Sequence, residues 1–384
     1  MNKLALALLI IILGLSLASK GYAYDASPQI DTYSKIVYQS YKDSYESALQ
    51  LRETIHNFVD NPTETALNRA KQAWLNARKP YGQTEGFRFY EGPIDFVDDA
   101  AGIEGPEGRL NAWPLDEAYI DYVRGEPYSG IVNDTDTPIT RSLLIDANQA
   151  DDESEVSTGY HAIEFLLWGQ DFNSNGPGSR PISDYTLENP VYKRRAAYLK
   201  EVTDLLVDDL KFLVDAWDPD KSDNYAAEFQ QMDEKESLSK IMTGLATLAG
   251  FELASERMGT PLDSGDQEDE HSCFSDNTHN DFLFNEMSIQ NVYLGRYGSV
   301  KGEGLDKLVA GVDPQLDQKI KSNMAETISK LKALETPIDS KILATSKGSP
   351  SRATMEEAVK LLQTQADLIK EAGTKLELNV EIVE

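Results

Sequence analysis

Apolar residues recur at helical spacing along most of the chain. Val37, Tyr41, Tyr45, Ala48, Leu51, Ile55 and Phe58 step by three and four, which predicts a long helix with one buried face. Asn61-Pro62 ends that helix, and Thr63 is placed to cap the next. There Ala66, Ala70, Ala73, Trp74 and Ala77 form a narrow apolar face, and Lys79-Pro80 stops it. The same stepping predicts helices from Tyr192 to Trp217 and from Glu236 to Met258. Two more fall around Leu316–Leu331 and Met355–Ile369. Strand alternation is nearly absent; Leu376 to Val383 alternates weakly and stands alone. The pattern predicts an all-α protein built from packed helical bundles.

Three stretches break the periodicity. Residues 81–113 hold six glycines and two prolines, and residues 259–281 are dense in Asp, Glu, Ser and His. Irregular stretches this long inside a helical protein tend to carry function. These two also hold Phe87-Arg88-Phe89-Tyr90 and Trp113, and His271, Cys273, Phe274 and His279. The third, Asn173 to Pro190, is rich in Gly, Pro and Ser and reads as a connection. It divides the chain into expected domains 24–180 and 181–384, two bundles packed together.

The first residues follow a different rule. Leu4 to Leu17 is almost wholly apolar, Lys3 precedes it, and Gly21-Tyr22-Ala23 follows. This is the form of a secretory signal peptide over 1–23, too short for a membrane span. Export to a periplasm or cell envelope is the expectation, with no transmembrane segment in the mature chain. The lone Cys273 can form no internal disulfide. Net charge is −29, and loss of Lys3 and Lys20 takes it to about −31. That disfavours nucleic acid and anionic membranes, which need a basic surface, and favours cations.

The chemistry concentrates in Gly159-Tyr160-His161-Ala162-Ile163-Glu164, a G-x-H-x-x-E segment followed by Phe165-Leu166-Leu167-Trp168. His161 and Glu164 stand one helical turn apart on one side of a buried helix. Buried polar groups of this kind need a partner: a metal ion, a proton or a structural hydrogen bond. Iron or zinc accepts imidazole with carboxylate, so His161 and Glu164 are candidate metal ligands. Candidates to complete the site are Glu85, Asp95, Glu252, Glu256, Asp276 and His279. Glu252 and Glu256 are four apart and need a cation or Arg257 nearby. The plainer reading is a buried network in which Arg88, Arg109 or Arg257 neutralises the acids. Phe165 and Trp168 read as core. His56 reads as a surface or interface histidine, His271 as balancing the acidic run 268–270, and Cys273 as a small buried hydrophobe.

A zinc peptidase needs about three protein ligands and an open position for water. Neither H-E-x-x-H nor H-x-x-E-H is present, since Phe165 follows Glu164, and no G-x-S-x-G elbow appears. Were the chain a metal-dependent peptidase, Glu164 would be the catalytic candidate. A third class, a peptide, glycan or chelate binder, draws support from the aromatics Phe87, Phe89, Tyr90, Trp113, Tyr160 and Trp168 near the segment, Trp168 reading better as core.

Three stretches carry a resemblance. They are Gly92-Pro93-Ile94-Asp95 with Gly105-Pro106-Glu107-Gly108-Arg109-Leu110-Asn111-Ala112-Trp113-Pro114; the G-x-H-x-x-E segment; and Glu252-Leu253-Ala254-Ser255-Glu256-Arg257-Met258 leading into His271-Ser272-Cys273-Phe274-Ser275-Asp276. In this order they resemble the imelysin family of bacterial envelope proteins, and its iron-regulated branch most. The resemblance implies two helical domains with a site between them that includes His161 and Glu164. It implies ties to iron supply and a ligand that is a metal ion, an iron chelate or a small molecule. Other envelope iron-uptake components are its implied partners. The family's peptidase label does not transfer by itself.

Overall fold

The computed structural model describes residues 25–383 apart from 99, 187 and 188. The expected signal segment lies outside the described residues. Helix α1 spans Ser27–Asp60, with Pro28 in its first turn, where the missing N–H costs nothing. It buries Val37, Tyr41, Ala48, Leu51, Ile55 and Phe58 of the predicted stripe, with Tyr45 half-buried beside them. Helix α2 spans Glu64–Tyr81, and the Thr63 hydroxyl accepts from Ala66 N. Helix α3, Gly159–Trp168, carries the G-x-H-x-x-E segment and is buried at every position. Helix α4, Pro190–Trp217, is capped by Asn189.

Helix α5 departs from expectation. It is α-helical over Glu234–Thr247, then widens into a π-helix over Leu248–Gly259. That change of turn moves residues four apart off a common face, so Glu252 turns inward while Glu256 is exposed. Helices α6 (Thr278–Tyr293), α7 (Pro314–Leu331) and α8 (Pro350–Lys375) complete the frame. Among the described residues strand is confined to two short antiparallel ladders, Val97–Asp98 with Ile103–Glu104 and Arg296–Tyr297 with Val300–Lys301. The weakly alternating tail forms neither; it runs along α5, where Val383 N donates to Thr247 Oγ1.

The helices sort into two packed groups. α1 packs on α2 and α4, and α3 on α2 and α4; α8 packs on α5, its π extension and α7, and α6 on α7 and the π segment. Helix α4, which follows the 173–190 connection, packs back on α1. A 3₁₀ turn, Gly82–Phe87, sits at the junction and touches α2, α5 and α6. The two irregular stretches divide: 84–87, 92–94, 105–106 and 270–275 are buried, while 97–98, 100–104 and 263–266 are exposed. Trp74, fully buried, donates from its indole N–H to Tyr160 O at 2.9 Å and pins α2 to α3.

Candidate functional site

The start of α3 explains the first residue of its segment. Gly159 has φ +80°, and a Cβ there would lie 2.5 Å from the Leu110 carbonyl oxygen. Only glycine takes this backbone conformation and this approach without strain. One turn later His161 projects into the junction between the two helix groups.

His161 and Glu164 are both wholly buried, with Nδ1 3.0 Å from Oε2. The other Glu164 oxygen accepts from Ser275 N at 2.9 Å and from its hydroxyl at 2.6 Å. On the far side of the ring, His161 Nε2 faces His271 Nε2 at 3.3 Å. His271 Nδ1 in turn meets Asp281 Oδ2 at 3.1 Å. Arg78 anchors Asp281 through Nη2 at 3.0 Å and Nε at 3.3 Å, and Ser272 and Asn277 also donate to it.

These contacts fix the direction of the hydrogen bonds. Arg78 beside Asp281 overcomes the burial that opposes its charge and holds this carboxyl well below the usual range. An ionised carboxylate only accepts, so His271 Nδ1 carries a hydrogen. Arg78 Nη2 lies 3.5 Å from that nitrogen, too far to compete. Burial and the nearby Arg257 bring His271 down to about 4, and burial with His271 and Arg78 holds His161 well below its ordinary value. Both rings are therefore neutral at pH 7. His271 Nε2 is an acceptor, His161 Nε2–H donates to it, and His161 Nδ1 accepts. Glu164 must then donate, as a protonated acid; burial pushes its carboxyl up to about 8. The result is one directed chain: Glu164 to His161 to His271 to Asp281.

A second network continues from Arg78. Its Nη1 donates to Asn111 Oδ1 at 2.6 Å, and Asn111 Nδ2 donates to Glu85 Oε1 at 3.1 Å. Glu85 Oε2 accepts from Arg88 at 2.8 Å and Arg257 at 2.9 Å. Burial opposes the Glu85 charge, but the two guanidiniums bring it down to about 2. Arg257 also donates to Glu252 at 2.6 Å, and Arg88 pairs with Glu107 at 3.0 Å. A cavity of about 480 Å³ opens beside this network, lined by Arg88, Trp113, Glu252, Glu256, Arg257 and His271 among others. The Trp113 ring lies 5.1 Å from His161 and 6.5 Å from His271, centre to centre.

The expected site residues divide accordingly. Glu85, Arg88, Trp113, Glu252 and Arg257 meet at the cavity and its network, and Glu256 stands exposed at the rim. Arg109 instead forks onto Asp209 of α4 at 2.9 and 3.2 Å. Asp95 accepts from Phe89 N and Gly92 N and closes its own turn. Asp276 and His279 meet each other, carbonyl to Nδ1 at 3.1 Å. His271 does not serve the acidic run before it. It is 3% exposed, because the 271–277 turn folds inward over Phe165 and Trp113 through Phe274. Arg78, Asn111, Ser275 and Asp281 were not among the candidates. Arg78 had one signal: it interrupts the apolar face of α2 between Ala77 and Tyr81. Among the described residues, no group of three or more His, Cys, Asp or Glu side chains is arranged to hold a metal ion.

The imelysin family model matches residues 37–369, and the chain belongs to that family. It is 26% identical over 336 residues to iron-regulated protein A of Synechococcus elongatus, covering 85% of this chain and 80% of that one. Two solved structures share the fold. One, from Parabacteroides distasonis and named for an iron-regulated protein A precursor, has a TM-score of 0.71 at 19% identity, over 92% of this chain and 97% of that one. The other, an imelysin-like protein from Psychrobacter arcticum, has a TM-score of 0.65 at 14% identity, over 93% of this chain and 98% of that one.

Proposed function

We propose that this imelysin-family chain is an exported binding component of bacterial iron acquisition, and that its cargo is a metal ion held at His161 and His271. The observation that carries this reading is the facing pair of Nε2 atoms 3.3 Å apart, each ring held at Nδ1 by a buried carboxyl group. Two nitrogens at about 2.0–2.1 Å from one tetrahedral ion stand about 3.4 Å apart, so the spacing fits. A carboxylate on the other ring nitrogen is the usual outer partner of a metal-bound histidine. On this reading Glu164 and Asp281 orient the ligands. The protein offers two positions, so the cargo brings its remaining donors with it, as water or as a chelate lodged in the adjoining cavity. Its neighbour Trp113 and the Arg88–Arg257 pair suit a small oxygen-rich chelator. The relative's name, iron-regulated protein A, supports the link to iron, and the apolar segment 4–17 supports export.

Engaging both Nε2 atoms requires His161 to give up the hydrogen on that nitrogen. Glu164 then passes its own proton to Nδ1, and about one proton is released per ion. Titration of chelator-stripped protein with ferric citrate and with zinc chloride, in weakly buffered solution, tests this. Binding with proton release is expected, and His161→Ala and His271→Ala are each expected to abolish it with helicity retained. Unchanged binding in both variants sinks the reading. Chelator-sensitive cleavage of an unfolded peptide, lost in His161→Ala, would replace it with a metallopeptidase.

A further inference from the structure

The facing nitrogens of His161 and His271 have almost no opening to solvent of their own. His161 is wholly buried, and His271 is 3% exposed. His271 nevertheless forms part of the wall of the cavity of about 480 Å³, and Trp113 lines the same wall. The half-buried Trp113 ring packs at a steep angle against His161, His271 and Phe274, with centres 5.1, 6.5 and 6.0 Å away. One indole thus borders the cavity on one side and both imidazoles on the other.

The basic side chains of that wall are already paired. Arg257 holds Glu85 and Glu252, and Arg88 holds Glu85, Glu107 and Glu252, so three acids face two guanidiniums. Glu153, Glu256 and Asp269 line the same cavity, which has no lysine and no further arginine in its wall. Glu153 and Glu256 are exposed. The mouth therefore carries negative charge that no neighbouring base offsets. A concave wall of one sign concentrates ions of the other sign about 10- to 1,000-fold, and salt weakens the effect.

We propose that this cavity is the entrance to the histidine pair, that it selects positively charged cargo, and that Trp113 is the gate the cargo displaces. The proposal rests on the reading of His161 and His271 as the binding pair. It adds the form in which the cargo arrives: an aquated metal cation, or a complex with no net negative charge. A chelate that lodges in the cavity whole is neutral or positive; an anionic one gives up its ion at the mouth. Trp113 supplies no ligand. Its ring offers an arriving cation a π face and, when closed, keeps solvent from the two imidazoles.

Collisional quenching of tryptophan fluorescence tests the entrance without metal binding. Trp74, Trp168 and Trp217 are buried, so quenchable emission belongs to Trp113 and is lost in Trp113→Phe. Caesium is expected to quench it about tenfold more than iodide at low ionic strength, each normalised to N-acetyltryptophanamide. Glu153→Gln/Glu256→Gln, at two exposed positions, is expected to remove most of that difference with Tm unchanged. Equal quenching by the two ions in the parent overturns the charge selection. Diethyl pyrocarbonate labelling, mapped by mass spectrometry, tests the gate. His161 and His271 are expected to be protected in the parent and to lose that protection in Trp113→Ala, with half-buried His56 as the unchanged reference. If Trp113→Ala also alters His56, the comparison is read in Trp113→Phe. Parental protection in the variant overturns the gate. In stopped-flow mixing with zinc chloride, association is expected to slow about tenfold in Glu153→Gln/Glu256→Gln. No zinc binding, with the quenching and labelling results as expected, removes the cargo reading and leaves the entrance standing.

Discussion

Two buried carboxylates sit at the ends of the histidine chain in nearly the same geometry and hold opposite charge states. Glu164 lies 3.0 Å from one imidazole Nδ1 and Asp281 lies 3.1 Å from the other. Both are wholly buried. Asp281 is ionised because a guanidinium stands beside it, with two hydroxyl or amide donors besides. Glu164 has only the N–H and hydroxyl of Ser275, and burial prevails. Distance to a histidine does not decide the charge of a buried acid; the counter-charge does.

The sharpest way to break the contrast is to remove the guanidinium. Arg78→Met leaves Asp281 buried with no full positive charge against it and is expected to cost about 3–5 kcal/mol, read from urea unfolding. Asp281 is then expected to behave as Glu164 does, protonated at neutral pH.

The next effect is in the pH dependence. Glu164 is raised, so between about 4.5 and about 8 the native state binds a proton that the unfolded chain releases. Its contribution is present below pH 4.5 and is lost as pH rises through about 8. His271 has the opposite sign. Lowered to about 4, it contributes fully above pH 6.5, and that contribution is lost as pH falls through about 4. Glu164→Gln copies the protonated acid: its amide donates to His161 and its oxygen accepts from Ser275. The variant is expected to fold as the parent does and to lose the alkaline decline in stability. In metal titrations it is expected to bind about 10–100-fold more weakly, since it cannot take the Nδ1 hydrogen as an anion. A parental pH profile in Glu164→Gln would show that Glu164 is ionised after all.

The smallest effect sharpens the Glu164 end alone. Ser275→Ala removes one donor at 2.6 Å and is expected to cost about 1 kcal/mol. Because that hydroxyl lowers the Glu164 pKa, its loss moves the alkaline transition upward, visible in chemical-denaturation curves across pH.

Much of this was legible in the sequence. The stripes of α1, α4, α7 and α8 were, because their faces pack on continuous apolar surface. The pair His161–Glu164 was legible from spacing, and Glu85, Arg88, Trp113, Glu252 and Arg257 from their company in irregular stretches. The rest was hidden for definite reasons. His271 follows three acids and reads as solvated until Phe274 is seen to turn its segment inward. Asp281 and Arg78 are 203 positions apart, and no local pattern links them. The π register that separates Glu252 from Glu256 leaves the apolar periodicity intact on either side. Asp95 and Arg109 lie in the recognised stretches yet serve a turn and a helix contact.

That separation of Arg78 from Asp281 also sets a time of assembly. The two histidines are themselves 110 positions apart. Contacts that close such long loops return their energy only after the entropy of closure has been met, so they form late in folding. A partly folded chain carries no partial version of this site, because neither histidine has its facing ring or its carboxyl partner until both helix groups are in place. The facing rings and their carboxyl partners therefore appear together, as a late product of folding.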